Sequence, residues 1–432
     1  MTHEIRLILI LLTAAVFSPA ALAVIKVTNT VAKMYNEGSS IVVGKVTKVN
    51  DNGMIEAAVT TLKGDGVGDT LKIVKIENLP DVSKSAKEGS PLVLIIARRA
   101  SASALHLADH WLYPEFLPTA KSNVVVRKEL NLAQSFPGAT SGLAAAMESL
   151  KEGKYSMLDA ASPDMFKGQV KELGKVRASG IDAVFAMRVA AKHLLLVARS
   201  KTGLQYYALS ASGVAIASVN TPFDSDVPMT DFIARHYDYS KQGSVRLAHL
   251  EKSGELVVQP RGAKLTRKKL WSDGSTTSAA AFGNFGEEPD RLYAIVVKDD
   301  NIYRYPLDGK GEPADFVRLT GERVSTYHKE NPKWLAGATA CALDCNGDGR
   351  MDVLINTPSG PMLLINRGYG AFFINADLGK VLKTPSGEPL LAEKTLWTAA
   401  DVDGDGLDDL IIVSPATGAV TAVMNPKPER KE

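Results

Sequence analysis

Cysteine is nearly absent from this 432-residue chain: only Cys341 and Cys345 occur, which excludes a disulfide-built scaffold. Two thiols cannot close a four-ligand structural zinc site. Spaced four apart, they bridge only if the loop curls tightly, because an extended strand holds their Cα atoms beyond ~7 Å. No charge of one sign dominates, since 50 basic residues face 48 acidic ones. A nucleic-acid surface needs basic residues gathered on one face. The densest basic run, Lys264 to Lys269, is interrupted by Leu265 and Thr266 and reads as a solvated loop or an edge strand. No nucleic-acid partner is expected.

Catalytic signatures are equally scarce. There is no G-x-S-x-G elbow, and the glycines of Lys63 to Gly68 lack the G-K-[ST] ending of a phosphate loop. His106 and His110 stand four apart without the Glu of a zinc-protease helix, in a stretch that reads as strand. His193, His236, His249 and His328 are isolated. Outside the Asp-rich loops described below, no pair of carboxylates presents itself as acid and base. Trp111, Trp271, Trp334 and Trp397 read first as core residues and second as a carbohydrate surface.

The N-terminus reads as an address. Arg6 precedes an apolar run from Leu7 to Phe17, Pro19 breaks it, and Ala21-Leu22-Ala23 supplies a small-x-small cleavage pattern. The run is too short to span a bilayer comfortably, and no other stretch reaches ~18 uninterrupted apolar residues. The expectation is a leader over residues 1–23, cleavage after Ala23, and an extracytoplasmic mature chain with no transmembrane segment. No Cys near that site prepares a lipid anchor.

Residues 24–120 read as a small β-rich domain. Runs at Ile41–Val49 and Met54–Leu62 flank Asp51-Asn52-Gly53, a hairpin signal because Asn-Gly tolerates positive φ. Further strands are expected at Thr70–Ile76, Pro91–Ala97 and Leu105–Tyr113. About five strands predict a small barrel, OB-like by strand count. Residues 121–176 read as a helical connector, with helices over Leu143–Lys151 and after Ser162-Pro163-Asp164, where Met165, Val170 and Leu173 would form an apolar face.

From residue 177 to 432 the chain is short strands and turns, with an internal repeat. Asp344-Cys345-Asn346-Gly347-Asp348-Gly349-Arg350-Met351-Asp352 recurs as Asp401-Val402-Asp403-Gly404-Asp405-Gly406-Leu407-Asp408-Asp409, each followed by an apolar β-type run. A degenerate copy starts at Phe282-Gly283-Asn284 and keeps the strand Leu292–Val296. Fainter copies lie at His193–Val197 with Leu204–Leu209, and at Val245–Leu250 with Glu255–Val258. Five repeats at roughly 45–60 residues suit five propeller blades of four strands each. The fold class expected is mainly β: a C-terminal propeller of about five visible blades, preceded by a small barrel-like domain and a helical connector.

Both loops spell D-x-[DN]-G-D-G-x-x-D. Oxygen ligands at positions 1, 3, 5 and 9, a carbonyl at position 7, and a Gly at position 6 for the sharp turn fit calcium, which takes many hard oxygen ligands on a flexible loop. The candidate ligands are Asp344, Asn346, Asp348, the Arg350 carbonyl and Asp352 in the first loop. In the second they are Asp401, Asp403, Asp405, the Leu407 carbonyl and Asp409. Carboxylates crowded into one turn repel one another unless a cation neutralises them. Magnesium prefers a rigid octahedron and keeps its waters. An EF-hand would need Glu at position 12, where Ile355 and Ile412 stand, and helices where these loops have β-type flanks. With four carboxylates against three, the second loop is expected to bind more tightly.

These segments resemble FG-GAP and VCBS repeats of the integrin α-subunit type. Asp409-Leu410-Ile411-Ile412-Val413-Ser414-Pro415 is similar to the D-L-x-V-G-A-P tail of that motif, with Ser414 and Thr357 in place of its Gly-Ala. Asn366-Arg367-Gly368-Tyr369-Gly370-Ala371-Phe372 is similar to the N-x-G-x-G-x-F turn that follows in VCBS repeats. The resemblance does not reach residues 24–176. It implies a propeller with two structural calcium ions, and blades elsewhere without ligands. The function expected is a non-enzymatic binding or adhesion module, with a protein or glycan ligand on the propeller face. The alternatives are an exported polysaccharide-acting enzyme, lyase or hydrolase, on a calcium-stabilised scaffold, and a stabilising subunit of an extracytoplasmic assembly.

Overall fold

A computed structural model describes residues 31–426, interrupted by short segments of which 155–165, 218–231 and 316–334 are the longest. The leader over residues 1–23 lies outside the described residues, as do Ser162, Pro163, Asp164, Met165, His328 and Trp334. Among the described residues, no helix is long and apolar enough to cross a membrane.

The chain opens with a short helix, α1 (Val31–Glu37), and then builds a closed barrel. Its strands are β1 (Gly38–Val49), β2 (Ile55–Lys63), β3 (Thr70–Val74), β4 (Pro91–Ala97), β5 (Ala104–Leu107), β6 (His110–Leu117) and β7 (Ala120–Glu129). Their order around the barrel is β1-β2-β3-β7-β6-β5-β4, and β3 and β7 run parallel. The β1–β2 hairpin falls at the expected Asn-Gly turn, with Val49 opposite Ile55 and Gly53 at φ 73°. The strand count differs from the five expected. Leu105–Tyr113 is two strands, because Ala108 and Asp109 both take positive φ and reverse the chain without glycine. The seventh strand, Ala120–Glu129, lies inside the region read as helical. Val124 and Val126 alternate into the barrel interior, a period of two that a helix reading overlooks.

A six-residue helix, α2 (Pro80–Ser85), joins β3 to β4, and α3 (Thr140–Lys151) is the helix expected at Leu143–Lys151. The α3 N-terminus receives its acceptor from the barrel. Asp109 Oδ1 accepts from Thr140 N at 2.8 Å, and Thr140 Oγ1 accepts from Asp109 N at 2.9 Å. The opposite face of α3 presses on the propeller. A Cβ at Gly142 would stand 1.9 Å from the Tyr369 carbonyl oxygen, so only glycine permits the approach. Ala371 shares a buried cluster with Phe136, Leu143, Met147 and Trp111.

The residues expected as the second connector helix form a strand instead, β8 (Val170–Lys175). It pairs with Ala419–Val423 and becomes the outermost strand of the last blade. The exposed–buried pattern of Val170 to Leu173 suits an edge strand as well as a helix, and the distant pairing partner, Ala419–Val423, decides it. The propeller thus begins before residue 177, and its ring is closed by a strand from ahead of the first blade.

Five four-stranded antiparallel sheets follow. Blade 1 spans Ile181 to Ile216, blade 2 Phe232 to Lys269, blade 3 Thr277 to Asp315, blade 4 Thr339 to Asn375, and blade 5 Leu396 to Val423 with β8. The first strand of each blade neighbours the first strand of the next around a central ring, and blade 5 meets blade 1. Every faint repeat corresponds to a real pair of adjacent strands. The second strands of blades 4 and 5, Asp352–Thr357 and Asp409–Val413, are buried throughout. A strand covered on both faces reads as a continuous apolar run, which is the D-V-L-I-N-T and D-L-I-I-V spelling.

The core lies between blades. Ile295 and Phe285 pack on Val353 and Phe372, Leu354 and Leu363 on Leu410 and Trp397, and Ile411 and Val413 on Leu196 and Tyr207. Burying each such side chain is worth roughly 1.5–3 kcal/mol. Trp111, Trp271 and Trp397 are all core residues. The basic run is the exposed outer strand of blade 2, Thr266–Lys269, where Arg267 pairs with Glu255 at 3.2 Å. His106 lies in β5, buried against Trp111 with ring centroids 4.5 Å apart, and His110 opens β6 beside Glu129 at 3.5 Å. Cys341 and Cys345 are both free thiols.

Candidate metal loops

Each Asp-rich loop connects the first strand of its blade to the second: Asp344–Met351 in blade 4 and Asp401–Asp408 in blade 5. Positions 4 and 6 are glycines at positive φ: Gly347 at 75° and Gly349 at 78°, Gly404 at 82° and Gly406 at 94°. That curl turns the backbone N–H groups inward onto the side chains. Asp401 accepts from Gly404 N at 2.7 Å and from Gly406 N at 3.3 Å. Asp403 accepts from Asp405 N at 3.1 Å, and Asp405 from Leu407 N at 2.8 Å. The first loop repeats the scheme: Asp344 with Gly347 and Gly349, Asn346 with Asp348, and Asp348 with Arg350.

The two loops differ in what the remaining oxygens do. One carboxylate oxygen from each of Asp401, Asp403 and Asp405 lies within 4.8 Å of the others. Oxygens bound to one calcium at ~2.3–2.6 Å stand within about 5 Å of one another, so this donor set fits the ion. Among the described residues it is the one acidic trio gathered so closely. Asp401, Asp403 and Asp405 are the residues that would hold the cation. In the first loop, Asp348 Oδ2 faces the guanidinium of Arg350 at 3.2 Å. That loop supplies its own cation where the second has Leu407.

The position-9 residues sit apart from the loop mouths. Asp352 and Asp409 are fully buried. Asp352 accepts from Cys345 N at 3.1 Å, from Cys345 Sγ at 2.7 Å and from Asn366 N at 2.7 Å. Asp409 accepts from Val402 N at 3.0 Å and Asn425 N at 2.8 Å. Each of these oxygens already holds a donor, and Asp352 Oδ2 holds two, so ligation would compete with bonds already made. Their structural work is visible: each ties its loop to the third strand of its own blade. Burial pushes the Asp352 carboxyl up to about 7 and the Asp409 carboxyl up to about 6. Burial also raises Asp344, and lifts the thiol of Cys341 to about 12.

Sequence reasoning missed the residues that join one loop to the next. Asp408 donates its N–H to Asp344 O at 2.9 Å, and its Oδ2 accepts from Asp344 N at 2.7 Å. One blade back, Asn284 Oδ1 accepts from Met351 N at 2.8 Å. Asn284 follows its first strand as Asp344 and Asp401 follow theirs. So position 1 of blade 3 binds position 8 of blade 4, and position 1 of blade 4 binds position 8 of blade 5, even though the blade 3 loop has lost its carboxylates. Asn366 and Asn425 complete the stitch. Their side-chain amides donate to Met351 O at 3.1 Å and Asp408 O at 3.3 Å, and onward to the preceding blade at Asn284 O and Cys345 O. The signal available in the sequence was an Asn at the end of the third strand in blade 4, Asn366, and two residues past it in blade 5, Asn425.

Blades strapped in sequence, closed by a strand from before the ring and carrying two Asp-Gly loops, define a five-bladed β-propeller with candidate cation loops. Residues 344–412, which run from one loop to the other and through the strand beyond, match the FG-GAP-like repeat, so the last two blades carry that repeat. No curated relative matches the chain. Among solved structures it is similar to the BP39L lectin of Burkholderia pseudomallei, at 13% identity and TM-score 0.30, over 90% of this chain and 99% of that one. It is also similar to an Agrocybe aegerita lectin described as recognising non-reducing terminal N-acetylglucosamine, at 10% identity and TM-score 0.30, over 90% and 91%. Virginiamycin B lyase of Staphylococcus aureus is similar at 10% identity and TM-score 0.27, over 88% and 94%. Likeness at that level bears on neither ligand nor activity.

Proposed function

We propose that this protein is an exported, calcium-stabilised propeller that acts as a non-enzymatic binding module for a protein or glycan outside the cytoplasm. The observation that carries the metal half is the convergence of the Asp401, Asp403 and Asp405 carboxylates within 4.8 Å of one another. The ion serves structure: it neutralises a loop whose partner loop is bonded to it through Asp408. A rigid ring of blades then presents connecting loops on a fixed frame, the arrangement in which loops carry recognition. Export follows from the Arg6–Ala23 leader pattern.

Thermal unfolding of the mature protein in EDTA, in magnesium and in calcium tests the metal. Calcium raises the melting temperature, magnesium does so far less, and equal curves in all three would remove the ion from the account. A panel of glycans and polysaccharides, assayed in parallel for capture and for turnover, tests the role. Capture without turnover supports a binding module. Turnover that persists when both loops are substituted in a folded variant would overturn it in favour of an enzyme.

A further inference from the structure

The first strands of four blades begin around one mouth of the central channel, at the end opposite the Asp-rich loops. A cavity of about 230 Å³ opens there, with Asp182, Arg199, Lys252, Ser278, Thr339 and Trp397 in its wall. At ~30 Å³ per water this holds roughly eight waters, the room of a single sugar ring. Its charges are unequal. Arg199 Nε donates to Asp182 Oδ1 at 2.6 Å with the Arg199 side chain 10% exposed, so that pair neutralises itself. Among the described residues Lys252, exposed at the turn after the second strand of blade 2, has no ion-pair partner, so the described wall carries one net positive charge. The hydroxyls are also ordered. Ser278 Oγ donates to Leu335 O at 3.3 Å and keeps lone pairs to accept. Thr339 Oγ1 accepts from the Trp397 indole at 2.8 Å, which leaves its own proton to donate.

From this arrangement we propose that the channel mouth binds a small hydroxylated monoanion of the hexuronate class, with Lys252 on the carboxylate and Asp182, Ser278 and Thr339 on ring hydroxyls. A dianion such as phosphate would meet the half-exposed Asp182 carboxylate with only one uncompensated cation to hold it. A neutral sugar would leave Lys252 unused. The inference rests on the binding-module reading and names the ligand class for it. The ligand is either a free hexuronate or the end of an acidic saccharide, and both present the same ring.

The test is calorimetric titration of the full mature protein, in calcium, with glucuronate, galacturonate, oligogalacturonate and neutral glucose. A uronate should bind at least about tenfold more tightly than glucose. Lys252→Ala should weaken that binding about tenfold, and Lys252→Arg should restore most of it. Tighter binding of the oligomer identifies the saccharide end as the source, and equal binding identifies the free acid. Glucose binding as well as the uronates, an unchanged affinity in Lys252→Ala, or no heat from the folded protein at about 10 mM uronate would each overturn the site. A different glycan or protein captured equally by wild type and Lys252→Ala would overturn this site alone and leave the binding module standing.

Discussion

Two loops with the same spelling, 57 residues apart, hold their charges differently. At Asp401–Asp409 three carboxylates point at one another, with Leu407 beside them. At Asp344–Asp352 the equivalent of Leu407 is Arg350, whose guanidinium rests 3.2 Å from Asp348, and Asn replaces the middle Asp. The backbone is nearly the same in both, with glycines at positive φ at the same two positions. The shared Asp residues and glycines therefore specify the turn, while the side chains at positions 3 and 7 set how much negative charge each loop carries. The loops are also joined: Asp408 of the second donates its N–H to Asp344 O, and its carboxylate accepts from Asp344 N.

The largest expected effect comes from the residues that tie both loops to their blades. Asp409→Ala strips two buried N–H groups, on Val402 and Asn425, of their acceptor. At roughly 1–3 kcal/mol for each stranded group, the loss is about 2–6 kcal/mol, with or without calcium. Asp352→Ala should behave alike. Equilibrium urea unfolding reads both, and a loss seen only in calcium would show that these residues act as ligands rather than as clasps.

Next is the response to calcium itself. At a concentration 100 times the dissociation constant, binding adds about 2.7 kcal/mol. Asp405→Ala should abolish most of that gain, and Asp348→Ala should abolish little of it. Equal losses in the two variants, measured by thermal shift, would erase the difference drawn between the loops.

The barrel provides a control of comparable size that neither loop should touch. Burial, and secondarily the charge of His110, hold the His106 imidazole down at about 3. Unfolded, it titrates near 6.5, so acid protonates the unfolded chain first. The stability from His106 is complete above pH 6.5 and drains as pH falls toward 3, by about 2 kcal/mol between pH 7 and pH 5. The difference in stability between wild type and His106→Leu should show that loss in calcium and in EDTA alike, since the buried Asp352 and Asp409, whose raised carboxyls give the opposite slope, are common to both. A difference that does not change between pH 7 and pH 5 would remove His106 from the account.

The smallest effect sharpens the comparison most. Arg350→Leu gives the first loop the second loop's residue and removes a partly exposed ion pair worth up to about 1 kcal/mol. Calcium affinity at that loop should rise, up to about fivefold, and a fall would mean that Arg350 organises the site instead of competing for it.

The Asp-rich loops were legible because their chemistry is local: ligand types, glycines and flanking strands all fall within fifteen residues. The five blades were legible because apolar strand pairs recur, even where the carboxylates are gone. What escaped was set by distant partners. Val170 to Leu173 shows a pattern that fits helix or edge strand, and pairing with Ala419–Val423 settles it as strand. Leu105 to Tyr113 looks continuous because Ala108 and Asp109 reverse the chain without the usual glycine. The stitching residues Asn284, Asp408, Asn366 and Asn425 are ordinary polar residues in sequence, and their meaning lies in which blade stands beside them.

The most direct measurement is a calorimetric titration of the metal-stripped mature protein with calcium, repeated on Asp405→Ala and Asp348→Ala. The account predicts one tighter site lost in Asp405→Ala and one weaker site lost in Asp348→Ala, with magnesium giving little heat at either. No calcium heat from the folded wild type, or an isotherm that Asp405→Ala leaves unchanged, would contradict it.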